Sequence, residues 1–332
     1  MESYTSVKGA IELPEATIDL APQVPLERLR RHPLSLAVGM FDGVHRGHQA
    51  VIRGALEKAK LQGGVPGVLT FWPHPSRLFR PEEPTRMLQP VEQKRERLFR
   101  AGMQLIIWKA FTRHFAAVPA EDFIRLLQES MPGLKSLHVG SNFRFGRGRQ
   151  GDAEQLTELG RQSGVEVVIT PRLQHEEEPI SSSRIRECLE QGRMDLVNQL
   201  LGYTYRSRGK LQPGRRLGRM IGFPTLNLAW DPELPPRRGV YVVGIRRPGE
   251  DAWRPGIANY GIRPTVEKGP VAAIVEVYIL DRDDVAYEEG EELELAWHHF
   301  IRGERKFEGL DALQQQIALD CDTARAWWQQ QG

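Results

Sequence analysis

The stretch Leu34-Ser35-Leu36-Ala37-Val38-Gly39-Met40-Phe41-Asp42-Gly43-Val44-His45-Arg46-Gly47-His48 decides how the first half of this chain is read. Leu34 to Gly39 is an apolar run of strand length, and Gly47 to Leu61 follows it with helical spacing. A strand that passes through a glycine turn into a helix sets backbone N–H groups at a helix mouth, where anions bind. Gly39 and Gly47 let the backbone come close to a phosphate without a side-chain clash. His45 and His48 are three residues apart and can face one bound group, with Phe41 and Asp42 in the same turn. Two imidazoles and helix N–H groups suit nucleotidyl transfer, in which charge gathers on the α-phosphate and the departing pyrophosphate. The same string, taken alone, also fits a glycine-rich turn with two surface histidines.

Working outward, Val65 to Phe71, Gln104 to Trp108, Ser136 to Gly140 and Val165 to Thr170 read as further buried strands. Val91 to Ala101, Ala120 to Ser130 and Asp152 to Ser163 carry helical spacing between them. This alternation predicts a parallel sheet covered on both faces. After Gly202 the period becomes two, at Val240 to Ile245, Ala272 to Leu280 and Glu292 to Trp297, with Gly- and Pro-rich turns. That predicts an antiparallel sheet or small barrel. Leu310 to Trp328 reads as an amphipathic helix with Leu310, Leu313, Ile317, Ala324 and Trp327 on one stripe. The fold class is therefore α/β plus β: a domain over 1–187, a helical connector over 188–203 and a β domain over 204–332.

Composition excludes little but bounds the reading. The 332 residues suit about two domains. Forty-five basic residues against forty-three acidic ones leave a net charge of +2, too balanced to argue for nucleic acid or a membrane surface. Two cysteines, Cys188 and Cys321, make neither a disulfide framework nor a metal spacing. No segment reads as a signal peptide or a membrane helix, so a cytoplasmic protein is expected.

A second phosphate-binding candidate runs from Gly209 to Asn227: GKLQPGRRLGRMIGFPTLN. Backbone amides of such a loop can wrap a phosphate, here around Gly209, Gly214, Gly218, Arg219, Gly222 and Pro224. The chain has no G-x-x-x-x-G-K-[ST] string, so a P-loop is excluded. Thr225 and Asn227 supply oxygens two residues apart, on one face of an extended segment, as Mg²⁺ requires. A basic hairpin with a solvated turn is the plain alternative. In the first half, Ser181, Ser182 and Ser183 stand before a helical segment, where they can cap it and leave N–H groups facing an anion. Arg186 can then fork onto a triphosphate. Gly146 to Gly151 fits G-x-G-x-x-G only formally, because Ser141 to Phe145 separate it from its strand; a mobile basic loop is the better reading.

With these strings in view, the first half resembles the adenylyltransferase half of bacterial riboflavin kinase/FAD synthetases. The match rests on GMFDGVHRGH, on Thr70-Phe71-Trp72-Pro73-His74-Pro75, on VGSNFRFG from Val139, and on Ile180-Ser181-Ser182-Ser183-Arg184-Ile185-Arg186. The second half resembles the riboflavin kinases through Gly209 to Asn227, Gly239-Val240-Tyr241, Gly256 to Thr265, the Glu276 strand and Arg302-Gly303-Glu304-Arg305-Lys306-Phe307. The resemblance implies a Rossmann-like nucleotidyltransferase domain and an antiparallel β-barrel kinase domain with a terminal helix. It implies Mg²⁺, ATP as co-substrate, riboflavin and FMN as substrates, and FMN and FAD as products. It also implies a monomer or weak homo-oligomer without nucleic acid or membrane partners. His45, His48 and Arg186 become catalytic residues for adenylylation, and His74, Pro75, Asn142 and Phe143 flavin contacts. Glu276 becomes the kinase base, where spacing alone leaves a solvent-facing strand residue. Arg302 and Glu304 become flavin contacts of the second half. One departure stands out: Tyr287 is followed by Glu288 where the family has glycine, so a different flap is expected. Two other readings stay open here, a barrel that only senses flavin, and a nucleotidyltransferase acting on another phosphate substrate.

Overall fold

The computed structural model describes residues 3–4, 10–214, 218, 221–262, 273–280 and 286–331. The chain divides into two compact units, Met1–Ser182 and Ser183–Gly332.

In the first unit a seven-stranded sheet carries the fold. Its strands are β1 (Ser3–Tyr4), β2 (Ala16–Leu20), β3 (Leu34–Val38), β4 (Val65–Phe71), β5 (Leu105–Lys109), β6 (Leu134–Gly140) and β9 (Glu166–Thr170), in the order β1-β2-β5-β4-β3-β6-β9. Two short antiparallel pairs complete the strand count: β7 (Arg144–Phe145) with β8 (Gly151–Asp152), and β10 (Gln174–His175) with β11 (Glu178–Pro179). The helices are α1 (Leu26–Arg31), α2 (Arg46–Leu61), α3 (Ser76–Phe79), α4 (Val91–Arg100), α5 (Arg113–Ala116), α6 (Phe123–Ser130) and α7 (Ala153–Ser163).

From β5 to β9 all neighbours are parallel. Every residue of β3, β4 and β5 is buried, as strands covered on both faces require. Alternate residues feed two separate cores. Leu36, Val38, Leu69 and Ile107 pack with Phe123, Leu127 and Leu156 on one face. Ala37, Val68 and Ile106 pack with Val51, Ile52, Ala55 and Leu98 on the other. Each fully buried Leu or Ile contributes about 1.5–3 kcal/mol of transfer free energy. The chain leaves β3 toward β4 and β5, then returns to the far side of β3 at β6. That reversal between β3 and β6 is where open α/β sheets bind ligands, at the carboxyl ends of the strands. The antiparallel strand β2, set between β1 and β5, went unread in the sequence; it is a five-residue segment that only its pairing with those neighbours identifies.

The second unit begins with α8 (Ser182–Gln191), whose first residue still counts with the first unit, and α9 (Met194–Leu201), separated by Gly192 at φ 78°. Six antiparallel strands follow: β12 (Tyr205–Gln212), β13 (Leu226–Ala229), β14 (Gly239–Arg246), β15 (Arg254–Ile262), β16 (Ala273–Ile279) and β17 (Glu292–Gly303). They close in the order β12-β13-β16-β15-β14-β17, so the choice between sheet and barrel resolves to a barrel. Closure removes sheet edges. Trp297, Tyr241 and Tyr260 cluster edge to face, and Trp297 Nε1 donates to Ser207 Oγ at 2.8 Å. Helix α10 (Leu310–Gln329) lays Cys321 and Ala324 against Val240, Val242 and Ile257. Leu310, expected on that stripe, is half exposed instead, because the helix only begins there.

Candidate active sites

At the carboxyl end of β3 the chain makes a turn of left-handed residues. Phe41 has φ 50°, Gly43 79° and Val44 39°. Hydrogen bonds with other elements hold it. Gly39 N–H donates to Leu69 O at 3.1 Å, Leu88 N–H donates to the Asp42 carboxylate at 3.1 Å, and Ser182 Oγ donates to Asp42 O at 3.0 Å. The turn delivers His45 as the N-cap of α2, where its Nδ1 accepts the His48 N–H at 3.3 Å. A ring nitrogen that accepts leaves the proton of neutral His45 on Nε2, available to donate. The two imidazoles stack with centroids 3.6 Å apart, and Phe41 meets His48 edge-on at 5.3 Å. Loss of hydration holds the His48 pKa well below its ordinary value, and the neighbouring His45 and Lys94 lower it further. A Cβ on Gly47 would lie 3.2 Å from the His45 ring, so glycine keeps that ring in place.

The other expected residues of this half leave neighbouring strands at the same sheet edge. Trp72 follows β4 and lines a cavity of about 370 Å³ with Trp108, Val91 and Arg95. His74 Nδ1 accepts the Ser76 N–H at 3.1 Å, and Pro75 opens α3. Asn142 and Phe143 follow β6, with Phe143 N–H donating to Gly140 O at 2.9 Å and its ring stacked on Phe145 at 5.8 Å. Two expectations shift. Only Ser181 precedes α8, while Ser182 and Ser183 lie in its first turn. Arg186 sits one turn along α8, and Ser183 and Arg186 belong to the second unit. The Gly146–Gly151 string is a hairpin with a 3₁₀ turn at Arg147–Arg149, tied by Arg147 N–H to Val118 O at 2.7 Å.

In the barrel a cavity of about 420 Å³ gathers Gly218, Thr225, Asn227, Glu276, Arg302 and Glu304. Register explains the polar row. Asn227 pairs with Glu276 across β13 and β16, and Glu276 with Asn259 across β16 and β15. Residues directly opposite in adjacent strands share a face, so one amide flanks the carboxylate on each side. Asn259 stands in the Gly256–Thr265 string that resembles the kinases but was not singled out as a site residue; the strand register is what sets it beside Glu276. Arg302 forks onto the buried Asp320 carboxylate at 2.7 and 3.0 Å. Asp320 was also missed, lying inside a helix read for its apolar stripe. Two glycines keep space clear. A Cβ on Gly214 would fall 2.1 Å from the Asn227 amide, and one on Gly218 would fall 2.2 Å from Phe223 O. Gly222 turns at φ 83° before Pro224. Gly209, Gly214, Gly222 and Pro224 are not among the described residues lining the cavity; Gly209 is a barrel residue opposite Leu293. Arg219 lies outside the described residues. The turn expected to change at Glu288 is made by Gly290, at φ 82°, whose N–H donates to Leu211 O at 2.9 Å.

A family model described as FAD synthetase matches residues 28–184, and one described as riboflavin kinase matches residues 201–328. The bifunctional riboflavin kinase/FMN adenylyltransferase of Escherichia coli K12 is 36% identical over 293 residues, covering 88% of this chain and 92% of that protein. The chain belongs to the bifunctional riboflavin kinase/FMN adenylyltransferase family. The Listeria monocytogenes member is likewise 36% identical, over 297 residues and 92% of its length. A solved structure described as a macrolide-efflux protein from Streptococcus pneumoniae shares the fold, with TM-score 0.79 and 29% identity over 93% of this chain and 96% of that one. Among the described residues of this family member, no helix is long and apolar enough to cross a membrane.

Proposed function

We infer that this chain carries out two consecutive steps of flavin cofactor synthesis, riboflavin to FMN and FMN to FAD. We assign the first to the barrel unit and the second to the α/β unit, with residues 188–203 as the connector between them. The observation that carries the reading is the pair of separate phosphate-binding constellations, one at a helix mouth and one on a barrel, in the order of the two family matches.

In the barrel, Glu276 takes the proton from the riboflavin 5′-hydroxyl as its oxygen attacks the ATP γ-phosphate and ADP leaves. Asn227 and Asn259 flank that carboxylate and fix its orientation. Thr225, Asn227 and Glu276 present oxygen donors only, and Gly214 leaves room for the Asn227 amide, so the site fits Mg²⁺. When bound there, Mg²⁺ neutralises charge on the ATP phosphates. Thr225 and Asn227, with Glu276 beside them, would hold the ion through oxygen together with the nucleotide's phosphates. Arg302, set by Asp320, and Glu304 contact the flavin.

In the α/β unit, an FMN phosphate oxygen attacks the ATP α-phosphorus and the bond to pyrophosphate breaks. His45 Nε2–H and His48 donate to oxygens that gain charge, beside the N–H groups of α2. Phe41, Asp42, Gly39 and Gly47 shape that turn. His74, Pro75, Asn142 and Phe143 make the flavin side. Ser181, Ser182, Ser183 and Arg186 bind phosphate, an assignment that rests on their sequence string. A cytoplasmic protein, monomeric or weakly self-associating, suits substrates of this kind. Incubation with riboflavin, ATP and Mg²⁺ followed by chromatography yields FMN and then FAD; a reaction that forms neither product ends this reading.

A further inference from the structure

Lys94 lies on α4, outside every string used above, and its side chain is only 1% exposed. Its Nζ donates to Met40 O and, at 2.7 Å, to the Thr70 hydroxyl, which itself donates to Met40 O at 3.1 Å. Neither partner is a carboxylate. The Asp42 carboxylate offsets its charge in part, but burying an ammonium is unfavourable, so such groups cluster where their charge is used. Met40 opens the turn in which Phe41, Gly43 and Val44 take left-handed conformations. A turn of that kind persists only where its surroundings over-determine it. Lys94 is thus one of the side chains that hold the backbone presenting His45 and His48.

We propose that Lys94 is a positioning residue for adenylyl transfer, pinning the Met40 carbonyl from beneath the turn and placing a buried positive charge behind the histidine pair. The proposal rests on the assignment of His45 and His48 to that reaction. The charged and titratable groups facing Lys94 are Asp42 on the turn, which favours its protonated form, and His48 on α2, whose pKa it lowers together with His45. On β5 it faces the Trp108 ring, 5.2 Å away. Burial brings the Lys94 pKa down to about 7, against the pull of Asp42. A nucleotide's negative charge at the helix mouth would favour the protonated amine, so nucleotide binding takes up a proton near neutral pH.

The test compares full-length Lys94→Gln with the unaltered protein. Expected are a fall in kcat for FMN-to-FAD conversion of at least about tenfold, an unchanged rate of riboflavin phosphorylation, and a His48 imidazole that titrates at higher pH by NMR. A kcat within about twofold, below the scale of lost positioning, with an unmoved His48 midpoint overturns the proposal. If Lys94→Gln does not fold, Thr70→Val removes one of the two acceptors at nearly constant volume. Full activity and an unshifted His48 in that variant overturn it equally. His48→Ala separates the two levels. Full FAD formation there removes the site assignment and this proposal with it. Lost FAD formation beside a normal Lys94→Gln removes only the role of Lys94.

Discussion

At the scale of single residues, the barrel site turns on Glu276. Spacing in the sequence leaves it as one polar residue on an alternating strand. The barrel places it half-buried in a cavity between Asn227 and Asn259. A carboxamide keeps the shape and hydrogen bonding but takes no proton. Glu276→Gln therefore slows FMN formation by about 10²- to 10⁴-fold while FAD formation from supplied FMN persists, read by chromatography of each half-reaction. An unchanged kinase rate removes Glu276 as base. Lys94 shows the opposite gap. On paper it is one more cation in a charged helix; packing of α4 against the sheet makes it a buried group under the histidine turn.

At the scale of elements, close packing of strands decides where small residues stand. Gly67 in β4 sits between β3 and β5, and a Cβ there would fall 2.6 Å from Leu36 Cδ2 and 3.2 Å from Leu105 Cδ2. Neither neighbour has open space to move into, since both are fully buried. Gly67→Val is expected to cost about 1–3 kcal/mol through overpacking, seen as a lower melting temperature of the first unit. A melting temperature equal to that of the unaltered protein would show that the sheet yields. Strands β12 and β15 were hidden from sequence reading for a related reason. Gly209, Gly256, Asn259 and Gly261 break the two-residue alternation, and hydrogen bonding to neighbours on both sides makes these segments strands nevertheless.

At the scale of the whole molecule, each unit holds a histidine that loses hydration on folding, His138 buried in the first and His298 half-buried in the second. Desolvation is the main cause in both: it brings His138 in the first unit down to about 4 against the pull of Glu166, and, with Arg206 adding to it, His298 in the second to about 4. Unfolded, both titrate near the usual value of about 6.5. Between these limits the unfolded chain binds more protons than the folded one. The stabilisation is therefore whole above about pH 6.5 and is lost as pH falls toward 4, up to about 3 kcal/mol for the buried His138 and less for the partly exposed His298. Calorimetry from pH 7.5 to 5 should show both units losing stability, and His138→Leu should flatten the acid side of the first unit alone. An unaltered acid slope in that variant would mean that other groups, His48 or carboxylates, carry the effect.

The sequence by itself determined the alternation of apolar runs and helical stripes, the strand-turn-helix around His45 and His48, and the family strings in both halves. These are local: a buried run and a glycine turn carry their own physical chemistry. Tertiary structure alone decided barrel closure, the row of Asn227, Glu276 and Asn259, the fork of Arg302 on Asp320, and the place of Lys94 beneath Met40. Each of these joins residues far apart in the chain. Register and burial, which set what such residues meet, exist only once the strands have paired and the helices have docked.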